Sequence, residues 1–324
     1  MAALTQIPSP IEREQAHRLR VGVSFGLVYL FWGSTYLAIS IAVRYFPAAV
    51  VGTLRFLIAG AFMLGWCAFT GKKISITKND ALRLALVGVL LLTGGNTVLA
   101  WTEQYINSGL AAMIVAVVPI WIATIEALIG GDRLNRMGWG GLLLGILGLI
   151  ALLWPDFTAG SAIGKRDLAV SLVLMLGSLS WALGSVLSRR FSLSVGPAAA
   201  TGWEMTFSGI VNTGIALDLG DFHRAQWTRS AWLAIFYLVI FGSLVGFTAY
   251  IWLLDHVPTP KVATYAYVNP VVAVFLGWFF RHEHINRFMV IGMIVIIAAV
   301  ALVTTSKLRA AKKQIVYPCD AGSD

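Results

Sequence analysis

Residues 252–292 read WLLDHVPTPKVATYAYVNPVVAVFLGWFFRHEHINRFMVIG, and residues 101–141 read WTEQYINSGLAAMIVAVVPIWIATIEALIGGDRLNRMGWGG. At a shift of 151 the two stretches match without a gap: Trp101 falls on Trp252, Ala112 on Ala263, Pro119 on Pro270, Asp132 on Glu283, Asn135-Arg136 on Asn286-Arg287 and Gly141 on Gly292. Earlier in each half the shift is 149, with Trp32 on Trp181 and Arg55 on Glu204. Chance aligns aliphatic residues in any two hydrophobic segments, but not Pro, Trp and Asn-Arg in one register. The pattern reads as an internal duplication, and the fold depends on what one unit is.

Composition decides that. Of 324 residues, 58% are hydrophobic and 12% charged, about half the charge that a soluble domain carries. Such a chain cannot cover a water-facing surface, which excludes a soluble enzyme of this length. Disorder and disulfide scaffolds are excluded too, with high apolar content and two cysteines, Cys67 and Cys319. The expectation is an all-α polytopic membrane protein. Ten apolar runs of about 20 residues lie near 21–43, 48–70, 81–101, 108–129, 136–154, 168–188, 197–217, 231–252, 261–280 and 286–305. The breaks are short and leave no room for an inserted soluble domain.

The net charge of +9 sits at the ends of apolar segments, so it sets orientation in the bilayer rather than marking a nucleic-acid partner. With the N-terminus in the cytoplasm, 16 of the 24 Lys and Arg fall inside and 7 outside, with Arg55 within a span. Both termini are therefore expected in the cytoplasm. The organisation read from this is an N-terminal arm (1–20), a first five-helix repeat (21–156), a linker (157–166), a second five-helix repeat (167–305) and a C-terminal tail (306–324). Five is odd, so the second repeat enters the membrane from the opposite side. Inverted repeats of this kind are common in secondary transporters, where they frame one midplane site.

Particular residues then carry a resemblance. Trp32-Gly33-Ser34-Thr35-Tyr36, Arg55-Phe56-Leu57, Ser108-Gly109-Leu110-Ala111-Ala112 leading to Pro119, Ser180-Trp181-Ala182, Glu204-Met205, Phe241-Gly242-Ser243 and above all Tyr265-Ala266-Tyr267-Val268-Asn269-Pro270 resemble the ten-span EamA family of the drug/metabolite transporter superfamily, in its YedA-like inner-membrane permease branch. The resemblance spans about residues 21 to 305. It implies two inverted EamA repeats, a central cavity, alternating access and a place in the bacterial inner membrane. It also implies export of amino acids, metabolites or drug-like molecules. Import of a small solute, a non-transporting sensor and an intramembrane enzyme are the rival readings. No phosphate loop, nucleophile triad or cofactor fingerprint appears, so the chain is read as no enzyme and no cofactor is expected.

Candidate lining residues follow from polarity at mid-span. Trp32 and Trp181 carry indole N–H groups near span centres, where they need a cavity or a partner helix. Tyr36, Tyr265, Tyr267, Asn96 and Asn269 join them on the same reasoning. Pro119 and Pro270, read as mid-span kinks at equivalent places, are the helix breaks that point to a transport site. Arg55 and Glu204 are charges that must face the bundle interior. They lie at different depths, so no direct salt bridge is expected. Arg55 is expected to meet an anionic group of the substrate or hold the outer gate, and Glu204 to act as a proton or cation site or gate partner, with protons as candidate coupling ion.

Glu126 reads as a residue snorkelling to the interface. Asp132 and Glu283 read as helix caps, and His282-Glu283-His284 lacks the spacing of a metal site. Gly22-x3-Gly26, Gly141-x3-Gly145 and Gly242-x3-Gly246 allow close helix approach and leave monomer and homodimer both open.

Overall fold

The computed structural model describes residues 10–106, 111, 114–130, 134–158, 165–281 and 287–316. Its long helices are α1 (Pro10–Ala42), α2 (Ala48–Phe69), α3 (Lys78–Thr102), α4 (Val118–Leu128), α5 (Arg136–Thr158), α6 (Lys165–Arg190), α7 (Pro197–Asp218), α8 (Arg229–His256), α9 (Tyr265–Arg281) and α10 (Arg287–Val316). By length and apolarity α1, α2, α3, α6 and α8 can each cross a membrane, while α4 and the Val290–Val303 part of α10 are shorter apolar helices. No strand occurs among the described residues. Asp132, His282, Glu283, His284 and the Ser108-Gly109-Leu110 run lie outside them.

Two helices overrun the expected spans. The first begins at Pro10 and the last reaches Val316, since neither 11–21 nor 306–316 contains a glycine or proline to stop a helix. Local chemistry sets the start of α3. Thr77 accepts a hydrogen bond from the Asp80 backbone N–H at 3.1 Å, and the Asp80 side chain accepts one from the Thr77 N–H, a capping box.

Helices at corresponding places in the two halves pack on one another. Between α2 and α7, a Cβ on Gly60 would meet the Thr206 N at 2.9 Å and the Gly202 O at 3.0 Å, so the backbones nearly touch. The pair α5 and α10 is joined in the same way, with Gly141 against the Ala299 O and the Val303 N. By contrast, Gly22 and Gly26 meet nothing within 4 Å. Their spacing marks no close helix approach among the described residues.

Two stretches are wound as π-helix, Val89–Thr97 in α3 and Leu238–Phe247 in α8. They stand at equivalent places, since Gly95 and Gly246 are 151 residues apart. Each widened turn seats the tryptophan of the opposite half. A Cβ on Gly246 would lie 2.6 Å from the Trp32 Nε1, and one on Gly95 would lie 2.7 Å from the Trp181 Cε3.

The proline pair does not form two matching kinks. Pro119 is in the first turn of α4, after a non-helical step at Ala116 and Val117. Its missing N–H there is one the helix would not have bonded. Pro270 lies inside α9, and the turn preceding that helix is at Ala263 and Thr264. Equivalent prolines thus serve inequivalent backbones.

The two ends of the bundle are tied differently. At the end carrying Thr77, the Ser194 hydroxyl donates to the Asp80 carboxylate, Arg83 donates to the Ser192 carbonyl at 2.9 Å and the Trp203 indole donates to the Ile74 carbonyl at 2.9 Å. At the end carrying Tyr45, the Gln226 N–H donates to the Tyr45 carbonyl at 2.8 Å. The rings of Phe46, Trp227 and Trp232 pack together at the same end, with centroids 5.1–6.4 Å apart.

Candidate functional site

A cavity of about 60 Å³ is lined by α1, α2, α3, α6, α9 and the Val115–Val118 approach to α4. Helix periodicity brings its walls together. Trp32, Tyr36 and Ile39 fall on one face of α1, Asn96 and Leu99 on one face of α3, and Tyr265 and Asn269 on one face of α9. Of the sequence-predicted residues, Trp32, Tyr36, Arg55, Asn96, Trp181, Tyr265 and Asn269 line this space. Its volume holds a few water molecules; a bound organic solute of ordinary size needs about 300 Å³ or more. The space as it stands takes water rather than a solute of that size.

Two sequence-predicted residues are placed elsewhere. Tyr267 is two residues from Tyr265, about 200° around the helix. It is fully buried against Gly145 of α5, and its hydroxyl donates to the Leu142 carbonyl at 3.3 Å. Glu204 does not line the cavity either. Its backbone packs on Gly88 of α3, and its carboxylate is buried with Oε2 unbonded, within Coulombic range of Tyr250 and Asp255. Arg55 and Glu204 form no ion pair. Glu126 is not snorkelling: it is 2% exposed and pairs with Arg190 at 3.1 Å.

Aromatic rings make one wall. The Trp32 and Trp181 rings meet edge to face at 5.4 Å. Tyr250 lies 4.8 Å from Trp32 and 5.6 Å from Trp181, and Tyr265 lies 4.9 Å from Trp32. These spacings suit quadrupolar contact. The Trp32 indole donates to the Gly242 carbonyl at 3.1 Å, a carbonyl in the α8 π-segment. The Trp181 N–H is turned to the Tyr250 and Tyr265 hydroxyls, while the Asn269 Oδ1 is buried without a partner among the described residues. The wall thus holds one unused acceptor.

Arg55 supplies the charge. It is 3% exposed, and its guanidinium lies against Gly242, where a Cβ would be 2.7 Å from Nη2. Nε donates to the Ser243 hydroxyl at 2.8 Å and Nη1 to the Asn96 Oδ1 at 2.8 Å. Both partners are neutral, and among the described residues no carboxylate lies within ion-pair distance. A guanidinium has five N–H donors; two are engaged, and the group has no counter-charge among the described residues. The π-segments of α3 and α8 provide both partners, which explains why those segments matter to the site.

The chain matches the model of the EamA-like transporter family twice, over residues 21–154 and 168–305. It is 35% identical to the inner membrane transporter YedA of Escherichia coli K12 over 306 residues, which is 94% of this chain and 97% of that protein.

The chain belongs to the EamA-like transporter family.

Among more distant relatives, the transporter YoaV of Bacillus subtilis is 22% identical over 86% of this chain and 94% of its own. A solved crystal structure superposes with a TM-score of 0.73 at 18% identity, covering 89% of this chain and 98% of the other. At that identity it shows the shared fold alone.

Sequence reasoning passed over Ser243, Tyr250 and Glu103. Ser243 sits in a glycine-flanked apolar run that reads as packing, and Tyr250 lies near a span end. Glu103 follows Asn96 by seven residues, two helical turns, and that spacing was the available signal.

Proposed function

We propose that this EamA-like protein is a secondary transporter of small organic solutes bearing an anionic group, with export the favoured direction. The supporting observation is the buried Arg55 guanidinium, held beside a cavity by neutral oxygens and matched by no carboxylate. A charge kept uncompensated in an apolar surrounding is costly, and an anionic ligand offsets that cost. The aromatic wall adds a surface for an apolar or planar body. In this reading ten spans form two inverted repeats, both termini are cytoplasmic, and the protein sits in the bacterial inner membrane.

Rocking of the halves about the α2–α7 and α5–α10 contacts would open the two ends in turn. Arg55 would receive the solute's anionic group. Glu204, beyond the aromatic wall, would act toward the cytoplasmic side. Purified protein in proteoliposomes tests this with a panel of labelled carboxylates, each paired with its neutral amide. Movement of at least one carboxylate but not its amide is the expected result. Equal movement of the amides, or none of either class, refutes it.

A further inference from the structure

Glu103 caps the end of α3 directly after Thr102. It stands four residues beyond Leu99 and seven beyond Asn96, on the face that lines the cavity. Both of its carboxylate oxygens are buried, and neither has a hydrogen-bond partner among the described residues. A lone ionised carboxylate in that setting costs several kcal/mol, and a buried acid ordinarily escapes the cost by taking up a proton.

The neighbours do not relieve it. From α1, Tyr36 is the titratable group within Coulombic range. From α2, Arg55 is engaged by Ser243 and Asn96. The α6 face packed on this part of α3 presents Leu174, Gly177 and Ser178, none of which titrates in the working range. Burial alone pushes the Glu103 carboxyl well above the ordinary carboxylate range.

We propose that Glu103 is a proton-binding site at the Tyr45-end mouth of the cavity, protonated while that mouth is closed and ionised when water reaches it. The inference rests on the transport reading only in taking this end to open. The linkage has a definite sign. In the closed form the acid holds its proton to higher pH than in the open form. Between the ordinary glutamate range near pH ~4.3 and the raised closed-form value, opening releases one proton. Raising the pH across that window favours the open form by up to about tenfold per pH unit. Outside it the equilibrium is flat.

The test needs no solute. Leu99→Cys, in a chain whose Cys319 is replaced by serine, is labelled with a water-soluble maleimide across pH. The same series is run with Glu103→Gln present. Dividing the two rates cancels the thiol's own titration. The proposal expects the ratio of parent to E103Q to rise with pH by up to tenfold per unit. A flat ratio overturns it. If E103Q does not accumulate, an exposed reference at Arg44→Cys serves as divisor. Infrared difference spectra of parent against E103Q read the proton directly: a protonated-carboxyl band lost in E103Q supports the site, and identical spectra overturn it. A protein that moves no solute in vesicles but shows both signals refutes the transport reading and leaves this one standing.

Discussion

Replacing Arg55 by glutamine separates a binding role from a structural one, because the two predict opposite outcomes for stability. The mutation removes a charge near the middle of a membrane helix, which recovers about 2.5–3.5 kcal/mol on insertion scales. It also removes charge-assisted hydrogen bonds. Arg55 makes two, to Ser243 and Asn96, each at 2.8 Å, and such bonds are worth about 1.5–3 kcal/mol. The glutamine amide keeps one of them in neutral form. One bond lost against one charge relieved leaves a net change near zero, within about 1–2 kcal/mol.

Solute binding has no such compensation. Losing one charge-assisted contact to an anion costs about 1.5–3 kcal/mol, or roughly ten- to 150-fold in affinity. Thermal unfolding in detergent, followed by tryptophan fluorescence, gives the first quantity. Concentration dependence of carboxylate uptake in proteoliposomes gives the second. The reasoning fails if Arg55→Gln destabilises by more than about 3 kcal/mol with uptake constant unchanged. That result would make the guanidinium a structural strut.

Gly246→Ala drives a methyl to 2.6 Å from the Trp32 Nε1 and Gly95→Ala drives one to 2.7 Å from the Trp181 Cε3; each overpacking costs about 1–3 kcal/mol in melting experiments. The Gly246 change should be the worse, since its methyl falls on the Trp32 N–H that donates to Gly242, while the Gly95 methyl falls on the Trp181 ring at Cε3, away from its N–H. At the Glu126–Arg190 pair, Arg190→Ala should destabilise more than Glu126→Gln. The first strands a carboxylate that is 3% exposed, while the second frees a guanidinium that is 38% exposed; equal melting points would contradict this. Tyr267→Phe should cost under about 1 kcal/mol and leave uptake intact, whereas Trp181→Ala should impair uptake. Reporter fusions after Lys307 and within residues 218–229 should place the first inside and the second outside; the opposite result for the C-terminus would refute the inverted repeat.

Much of the helical layout was legible because apolar runs bounded by Gly, Pro and charge mark helices directly. The cavity-lining set was legible for a related reason. Trp32, Arg55, Asn96 and Asn269 are polar or amphipathic where lipid would penalise them, so they had to face inward. Inward has two meanings, however. Tyr267 and Tyr265 both satisfy the polarity argument, and only their 200° separation on the helix divides cavity from core. Glu126 shows the same limit, since a charge near a span end reads as interfacial whether it reaches water or meets Arg190. The π-segments were not legible at all. Their widened winding is set by what packs against Gly95 and Gly246, and the facing tryptophans lie 86 and 214 residues away in sequence. Pro119 stands beside a break, at Ala116 and Val117, but opens the next helix rather than kinking one: a proline marks a constraint on the backbone but does not say whether it sits inside a helix or opens one.

The unequal fastening of the two ends gives the molecule a thermal signature. Parting Phe46, Trp227 and Trp232 exposes aromatic surface to water, which raises heat capacity by about 0.45 cal/mol/K for each Å². Parting Asp80 from Ser194, Arg83 from Ser192 and Trp203 from Ile74 exposes polar groups, for which the sign reverses at about −0.26 cal/mol/K for each Å², beside the apolar cluster of Leu84, Val195, Ala199 and Ala200 at the same end. Parting that end therefore mixes contributions of opposite sign, and for each Å² exposed it answers temperature less steeply than the rings of Phe46, Trp227 and Trp232.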